Sequence, residues 1–323
     1  MPHYPLLPEH RRPMLLEKLQ RAPQLRLMEA HSPLAARIAS LARPIGDQGP
    51  ASGFDGLWMS SLGDSSIAGL PDTEVLGYPR RTQNVFELTK TTHLPLLVDA
   101  DTGGELSSFI DFVHKLEQIG ASGCVVEDKI FPKKNSLIKG ADQQLADCDH
   151  FSEKIRAAQS EKISASFMVW ARTEALIASQ GMDEAVYRAE SYIRAGADGI
   201  VIQSVDPTGQ EVFTFMQALQ GFTSSWNKPV WFACIPTAYP QFTAQELFAV
   251  GFHVVIFANH MLRASIQAME NVCSSILSDD RTLESEPHIT SIHRLFHLIP
   301  QQRVLKQQLT HTQLVPEQAD IPQ

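Results

Sequence analysis

The feature that most constrains the fold is the alternation of short apolar runs with segments of helical periodicity along most of the chain. This alternation is typical of β-α units arranged around a parallel sheet. Eight apolar runs predict strands, at Leu25–Met28, Phe54–Ser60, Pro95–Asp99, Gly123–Glu127, Phe167–Arg172, Gly199–Gln203, Val230–Ile235 and Val254–Ala258. Because eight strands are the number that closes a barrel, the pattern favours an α/β fold of the (β/α)8 TIM-barrel type.

The main rival architecture is the doubly wound open sheet. No GxGxxG motif, the phosphate-binding turn of many such sheets, follows any of the early predicted strands. Helix-end signals mark the same units: Ser32 before Pro33 indicates a helix start, and Gly120, Gly196 and Gly251 lie just after predicted helix ends. Eight units in about 250 residues fit the barrel better than the open sheet.

One barrel does not use the whole chain of 323 residues. We expect an N-terminal arm at residues 1–24, the catalytic barrel at residues 25–278, and a C-terminal helical extension with a tail at residues 279–323. The polar break SDDRTLESEP separates the last barrel helix from one further amphipathic pattern. A helix with an apolar face outside a closed barrel needs a partner surface, so we assign the arm and the extension to subunit contacts.

Composition excludes several classes of function. The formal net charge of −9 argues against broad nucleic-acid binding, which needs a basic face. No stretch of about 18 uncharged apolar residues occurs, and the first residues lack the core of a signal peptide, so we expect no membrane association. The four cysteines form no CxxC pair and predict buried thiols in a reducing compartment. Together these features predict a cytoplasmic protein.

Acidic residues follow three of the predicted strands. Asp99 and Asp101 lie at the end of the third strand, Glu127 ends the fourth, and Asp72 lies in the loop after the second. In a barrel these strand ends meet at one mouth. Four acids there repel one another unless they share a cation or protons, and carboxylate oxygens suit Mg²⁺ or Mn²⁺. The alternative is that some of these acids are helix N-caps or partners of Arg and Lys.

A long segment follows the fourth strand. Residues 129–136, KIFPKKNS, precede the next helical pattern by about a dozen residues, and a loop of that length is a candidate lid. Its three lysines could close over a phosphate or a carboxylate. The alternative is an ordinary solvated basic loop.

Six longer segments carry a more specific signal, the pattern of a known family. Six segments, taken together and in order, resemble the phosphoenolpyruvate mutase branch of the isocitrate lyase superfamily: MEAHSPLAARIA, FDGLWMSSLGDSSIAGLPDTE, LLVDADTGG, VVEDKIFPKKNSL, WARTEALIASQGMDEAVYRAESYIRAGADGI and FANHMLRASIQAM. The resemblance extends from Leu27 to Ile276. It implies a Mg²⁺-dependent barrel whose last helix packs on a neighbouring subunit in a homo-oligomer, a dimer or a tetramer. The implied substrate is a small anion, phosphoenolpyruvate or phosphonopyruvate, which the mutase interconverts.

The resemblance also implies roles for individual residues. Asp99 would bind Mg²⁺ directly, with Asp72, Asp101 and Glu127 holding its water molecules. Ser60, Ser61 and Leu62 would present backbone N–H groups to the substrate carboxylate and enolate oxygen, beside the wall formed by Trp58. Arg172 and Gln203 would bind the phosphoryl group, and Lys133 and Asn135 on the lid would close over it. The catalytic set is therefore expected to be Asp72, Lys133, Asn135 and Arg172.

Three local features distinguish among the activities of the superfamily. The carbon–carbon lyases of the superfamily carry a Lys-Cys-Gly-His loop, whereas this chain has no cysteine in its loop, so the lyase interpretation lacks its acid. The main alternative to the mutase is phosphonopyruvate hydrolase or another Mg²⁺-dependent enzyme of the superfamily that acts on a C–P or C–C bond of a 2-oxo acid. Asn135 favours the mutase over the hydrolase. Gln203 stands where the family usually has His, which either preserves a weaker hydrogen bond or marks a changed substrate. A non-catalytic, metabolite-binding barrel is a third possibility, disfavoured by the intact acid set.

Overall fold

The structure is a computed structural model that describes residues 6–45, 53–138 and 140–299. Eight parallel strands pair in chain order and close into a barrel, with the last strand paired to the first. The strands are β1 (Leu25–Glu29), β2 (Gly56–Met59), β3 (Leu96–Asp99), β4 (Gly123–Glu127), β5 (Met168–Thr173), β6 (Gly199–Ile202), β7 (Trp231–Cys234) and β8 (Val254–Phe257). The predicted (β/α)8 barrel is confirmed, and the open sheet is excluded.

Helices separate the strands. They are α1 (Pro8–Arg11), α2 (Met14–Arg21), α3 (Pro33–Leu41), α4 (Ser61–Ile67), α5 (Tyr78–Thr89), α6 (Leu106–Ile119), α7 (Cys148–Glu161), α8 (Met182–Arg194), α9 (Gln210–Ser225), α10 (Ala244–Val250), α11 (His260–Asp279) and α12 (Ile292–Leu298), with a 3-10 turn at Glu286–His288. The predicted start of α3 is confirmed, because the Ser32 side chain accepts a hydrogen bond from the Ala35 N–H and Pro33 opens the helix.

Two layers of apolar side chains build the core. One layer packs the outer face of the strands against the surrounding helices, with Phe109, Phe112 and Phe215 fully buried. The other fills the barrel interior, where Trp58 and Trp170 are the largest side chains. A filled interior means that ligands reach the barrel only at its ends.

The N-terminal segment packs on the barrel of its own chain. Leu15 and Leu19 of α2 join the interior layer, and burial of each contributes about 1.5–3 kcal/mol. Arg11 of α1 donates hydrogen bonds to the carbonyl oxygens of Thr89 (2.7 Å) and Thr92 (2.9 Å). Gly120 ends α6 with φ +88°, and a Cβ there would lie 2.6 Å from Pro8 Cα, so this contact requires glycine. The described part of the predicted arm thus contacts its own barrel, and the boundary at residue 24 stays a prediction.

The chain divides into two compact units, Met1–Ala264 and Ser265–Gln323. Only Leu262 is buried along α11, and Ile266, Met269 and Leu277 are exposed apolar residues of that helix. The predicted packing of the C-terminal helices on a neighbouring subunit stays a prediction, and the predicted tail beyond residue 299 lies outside the described residues.

Two further findings concern the cysteines and the helices. All four cysteines are free thiols, but only three are buried. The prediction of a buried Cys273 is wrong, because it lies on the exposed surface of α11. Within the part of the chain that the structure describes, no helix combines the length and the apolar character needed to cross a membrane.

Candidate active site

A cavity of about 40 Å³ lies at the mouth formed by the carboxyl ends of the strands. It is lined by Trp58, Ser60, Ser61, Leu62, Asp72, Asp99, Lys133, Asn135, Ser136, Leu137, Arg172, Gln203, Ile235, Thr237, Ala258 and Asn259. All nine residues that the sequence predicts to bind substrate or to act in catalysis lie in this lining, together with Asp99, the predicted direct ligand of the metal. The volume admits about three water molecules, so a larger ligand requires the lid residues to move.

Two of the predicted metal-binding acids, Asp101 and Glu127, lie behind this lining. They are 3% and 1% exposed and face Lys133 from the barrel side. Their position follows from the strands, because Glu127 ends β4 and Asp101 comes two residues after β3 in a turn with φ +53°.

A helix that the sequence analysis did not predict begins inside the site. α4 starts directly after β2, with Ser60 as its N-cap accepting from the Gly63 N–H. The Ser61 N–H and hydroxyl both donate to Asp99 Oδ2, at 3.2 and 2.8 Å. In this structure the Ser61 N–H therefore donates to Asp99, and its predicted contact with the substrate stays a prediction.

The Lys133 ammonium lies at the centre of the acidic cluster. Its Nζ is 2.7 Å from Asp101 Oδ1, 3.4 Å from Asp72 Oδ1 and 3.6 Å from Glu127 Oε1. It also donates to the Ser61 hydroxyl at 2.9 Å. A lysine from the lid thus supplies the cation that the four acids require in a buried crevice.

The surrounding charges set the protonation states. Burial disfavours the charged form of Asp99, but Lys133, Arg172 and Arg81 outweigh burial and lower the pKa of Asp99 to about 2. Burial likewise disfavours the charged form of Lys133, yet Asp101, Glu127 and the other acids raise its pKa well above 10.5. Asp99 is therefore a carboxylate and Lys133 an ammonium at neutral pH.

Glu127 behaves differently from Asp99. Burial raises its pKa to about 7, and the attraction of Lys133, Arg172 and Lys129 only partly offsets that effect. Neither of its carboxylate oxygens accepts a well-directed hydrogen bond. Two neighbouring carboxyl groups of one site are thus held in different states, a pattern typical of functional sites.

Arg172 reaches the cavity from the end of β5 and is held from behind. Glu174, two residues further along, accepts hydrogen bonds from its guanidinium, and Arg172 Nη2 donates to the Ser136 hydroxyl at 3.0 Å. The same Nη2 lies 3.4 Å from Glu127 Oε2. Fixing the planar fork in this way orients it toward an anionic ligand.

Arg81 of α5 is a site residue that the sequence analysis missed. It is 1% exposed, donates to Asp101 Oδ2 and to the Asp99 carbonyl oxygen, and lies 3.5 Å from Asp64 Oδ2. It neutralises the acids from the side opposite the lid. No motif marks this arginine, because its reach into the site depends on how α5 packs.

The lid is closed over the cavity in this structure. Asn135 Nδ2 donates to Asp72 Oδ2 at 2.6 Å, and the Lys133 N–H donates to Glu74 Oε2 at 3.0 Å. The prediction that three lysines face an anion is wrong for Lys129, because its Nζ is buried 3.1 Å from Glu174 Oε2 and donates to the Ser136 hydroxyl. Lys129 fastens the base of the lid, and the exposed Lys134 is the solvated lysine of the alternative interpretation.

The donor chemistry of the cluster fits a hard divalent cation. Asp72 Oδ1, Asp101 Oδ1 and both Glu127 oxygens lack well-directed hydrogen bonds. These three residues and Asp99, the four acids of the cluster, offer only oxygen ligands. Across residues 6–45, 53–138 and 140–299, however, no three acidic, His or Cys side chains converge closely enough to coordinate a metal directly. Lys133 holds the central position instead, so the metal assignment stays a prediction.

The Gln203 side chain forms the wall at the end of β6. It is 5% exposed, and its Oε1 has no hydrogen-bond partner among the described residues. Thr237 Oγ1 and Asn259 Oδ1, at the ends of β7 and β8, also lack a hydrogen-bond partner among the described residues and belong to the same lining. These three side chains are uncharged, whereas Lys133 and Arg172 of the same lining are cationic.

Comparison with known proteins identifies the family that this chain resembles. Residues 16–277 match the family model described as phosphoenolpyruvate phosphomutase. The chain is 34% identical over 273 residues to phosphoenolpyruvate phosphomutase of Tetrahymena pyriformis, covering 84% of this chain and 85% of that protein. It is equally 34% identical over 279 residues to phosphonopyruvate hydrolase of Variovorax sp. (strain Pal2), covering 86% of this chain and 90% of the relative.

The structural comparison agrees with the sequence comparison. The crystal structure of phosphoenolpyruvate phosphomutase from Streptomyces platensis subsp. rosaceus superposes with a TM-score of 0.81 at 36% identity. The match covers 94% of this chain and 99% of that one. Sequence and fold therefore agree with a single family.

Proposed function

Because this chain belongs to the phosphoenolpyruvate phosphomutase family, we propose that it interconverts phosphoenolpyruvate and phosphonopyruvate. The reaction moves a phosphoryl group between an enolate oxygen and a carbon, and so forms or breaks a C–P bond. A phosphoryl transition state is loose and metaphosphate-like, so catalysis depends mainly on positioning the substrate and excluding water.

The observation that carries the proposal is the lid seated on the acids. Lys133 and Asn135, both on the lid, contact Asp101 and Asp72 of the barrel. Whether the enolate or a water molecule accepts the phosphoryl group then depends on which of them the closed cavity contains. A site sealed in this manner favours transfer to the enolate over transfer to water.

The residues of the chain account for binding and orientation. Arg172, steadied by Glu174, would hold the phosphoryl oxygens through its planar fork, and Lys133 would supply a second positive charge at the same group. Asn135 would donate its amide hydrogens while the enolate turns its carbon toward phosphorus. Trp58 would restrict the enolate to the plane of the cavity wall. No protein atom needs to bond to phosphorus.

The proposed cofactor is Mg²⁺, with Mn²⁺ as a substitute. Asp99 would bind it, and Asp72, Asp101 and Glu127 would hold its water molecules; when bound, the ion would share the negative charge of the substrate carboxylate and enolate oxygen. The low pKa of Asp99 supports its assignment as the ligand, because it is ionised across the physiological range.

Phosphonopyruvate hydrolysis is the second candidate. The equal identity to the Variovorax hydrolase favours it, and so does the neutral Gln203 in the phosphoryl wall, which weakens the hold on the anion. Against it stands Asn135, which belongs to the mutase pattern and is bound to Asp72 in the closed lid.

One assay separates the candidates. Purified protein is incubated with phosphonopyruvate and Mg²⁺, and the phosphorus NMR spectrum is followed in time. A growing phosphoenolpyruvate signal supports the mutase, inorganic phosphate supports the hydrolase, and an unchanged spectrum contradicts both and leaves the non-catalytic barrel. An Arg172→Ala variant is the negative control.

We further propose that the protein is a cytoplasmic homo-oligomer. The exposed apolar residues Ile266, Met269 and Leu277 of α11 support a contact with a second copy, because a helix with such a face is stable in water only when it is covered. Sedimentation analysis of the full chain tests this; a monomer at micromolar concentration contradicts it.

A further inference from the structure

One half-buried acid near the mouth has no role in the proposed phosphoryl transfer. Glu74 lies in the loop between α4 and α5, two residues after Asp72, and is not part of the cavity lining. Its backbone has φ +61°, a left-handed conformation that is rare for a residue with a side chain. Such conformations persist where the surroundings hold them and concentrate at functional sites.

The Glu74 carboxylate joins three separate segments. Oε1 accepts hydrogen bonds from the Thr102 N–H (3.0 Å) and the Thr102 hydroxyl (2.8 Å), in the turn after β3. Oε2 accepts from the Lys133 N–H (3.0 Å) of the lid. One side chain therefore connects the loop after β2, the turn after β3 and the lid after β4.

The barrel side of this connection is itself fixed. The Thr102 carbonyl oxygen accepts from Lys154 Nζ at 2.8 Å, and that ammonium also donates to the Gly104 carbonyl oxygen at 2.9 Å. Thr102 is 1% exposed and directly follows Asp101. The turn is thus a rigid support, and the lid is the part that can leave.

The contact with the lid differs in kind from the others. The Lys133 ammonium and the Asn135 amide both point into the cavity, where an entering anion competes for them. The bond to Glu74 uses the Lys133 main chain and lies outside the cavity lining. It can hold the lid shut while the Lys133 side chain turns to the substrate.

We propose that Glu74 is a positioning residue that latches the closed lid through the Lys133 main-chain N–H and thereby keeps water from the transferring phosphoryl group. The inference rests on the proposed function, because its consequence is read in the partition of phosphoryl groups between enolate and water. Loss of the latch leaves the lid open for a larger fraction of time, which raises the apparent dissociation constant of the substrate and admits water.

The test replaces Glu74 by Met. This variant keeps the length of the side chain but removes both carboxylate oxygens, so the acceptor for the Lys133 N–H is lost. Glu87→Met is the matched control, because Glu87 lies on α5 outside the cavity lining and accepts a hydrogen bond from Gln83. Thr102→Val is a second variant, which removes one of the bonds to Glu74 and leaves the bond to Lys133.

Two readouts are measured on the full chain. Hydrogen exchange of the peptide containing Lys133 reports the latch without reference to activity, and we expect exchange to be at least about tenfold faster in Glu74→Met than in Glu87→Met. The ratio of phosphate to phosphoenolpyruvate formed from phosphonopyruvate reports water exclusion. We expect this ratio to rise at least about fivefold in Glu74→Met and much less in Thr102→Val.

The outcomes are distinct. Unchanged exchange at Lys133 overturns the latch. Faster exchange with an unchanged product ratio overturns its role in excluding water, as does a loss of both products in equal proportion, which a purely structural role would give. If the wild-type protein forms only phosphate, the mutase proposal fails, and the exchange measurement alone then supports or overturns the latch.

Discussion

Lys133 Nζ lies 2.7 Å from Asp101 Oδ1, and this contact joins the lid after β4 to the turn after β3. Both side chains are almost fully buried, so the pair is stable only because Arg81, Asp72 and Glu127 complete a network of charges around it. The ammonium occupies the centre of the group of acids to which the metal is assigned. The lid and a divalent cation are therefore linked: each changes the electrostatic environment of the other.

Lys133→Met should destabilise the protein most in the absence of divalent ions. Removing one partner of a buried ionic network leaves the acids uncompensated, at a cost of about 3–5 kcal/mol. Addition of Mg²⁺ should restore more of the melting temperature in this variant than in the wild type. Thermal unfolding with EDTA and with MgCl₂ measures both effects, and Lys134→Met, at an exposed lid position, is the control. Equal Mg²⁺ shifts in all three proteins would argue against a metal among these acids.

Asp99→Asn should lower turnover of phosphonopyruvate by at least about 100-fold while the barrel stays folded. The amide keeps the size and can still accept from the Ser61 hydroxyl, but it lacks the charge that a Mg²⁺ ligand provides. Phosphorus NMR gives the rate, and circular dichroism checks the fold. Full activity in this variant would refute the metal assignment of Asp99.

Asn135→Asp should impair turnover more than Asn135→Ala. In the closed lid the Asn135 amide donates to Asp72, and a carboxylate in its place would repel Asp72 and open the lid. We expect losses of roughly 100-fold and 10-fold respectively, from steady-state kinetics. Gln144→Ala, in the loop between the lid and α7, removes a bond to Asp142 only and should behave as the wild type. The lid role of Asn135 is wrong if either variant keeps normal turnover.

Gln203→His tests whether the departure from the family pattern tunes the site or changes its substrate. A histidinium donates a charge-assisted hydrogen bond, so the KM for phosphonopyruvate should fall by about fivefold below pH 6.5, where the ring is protonated. The advantage should vanish above pH 7.5. A KM that instead rises at every pH would indicate that the neutral wall is adapted to a different substrate.

The fold should lose stability in mild acid through His253. Its Nδ1 accepts the Phe232 N–H at 3.0 Å, and burial lowers the pKa of His253 below its ordinary 6.5. Because the folded-state pKa is the lower one, the unfolded chain binds the proton first, so stability is complete above pH 6.5 and declines as the pH falls toward the folded pKa.

The matched variant is His253→Asn, whose side-chain oxygen can still accept the Phe232 N–H. Between pH 7 and pH 5 we expect its melting temperature to fall by about 2–4 °C less than that of the wild type, measured by calorimetry. Parallel curves for the two proteins would show that another group causes the acid sensitivity.

The sequence predicted those parts of the site whose position follows from the strand period. Asp99, Glu127 and Arg172 end strands, and a parallel barrel brings strand ends together whatever the loops do. The strands themselves were predicted to within two residues, since apolar runs flanked by helical patterns are the strongest local signal.

The residues that the sequence did not predict come to the site only through the packing of segments that are distant along the chain. Arg81 and Glu74 act across loops and helices whose packing no local pattern encodes. The short helix α4 has the sequence SLGDSSI, which lacks an apolar stripe, and polar contacts of Ser61 with Asp99 and of Asp64 with Arg81 hold it in place. Lys129 was interpreted as a lid cation because charge pattern alone cannot distinguish a buried ion pair from a solvated lysine.

The proposed function requires the closed cavity to deliver the phosphoryl group to the enolate oxygen rather than to water. A single-turnover experiment measures this partition: enzyme in excess of phosphonopyruvate, with Mg²⁺, is quenched with acid at successive times and the phosphorus products are quantified. We expect phosphoenolpyruvate to be the first product and phosphate to remain a minor one. Phosphate appearing first, with no phosphoenolpyruvate before it, would show that water is the phosphoryl acceptor and that the protein is not a mutase.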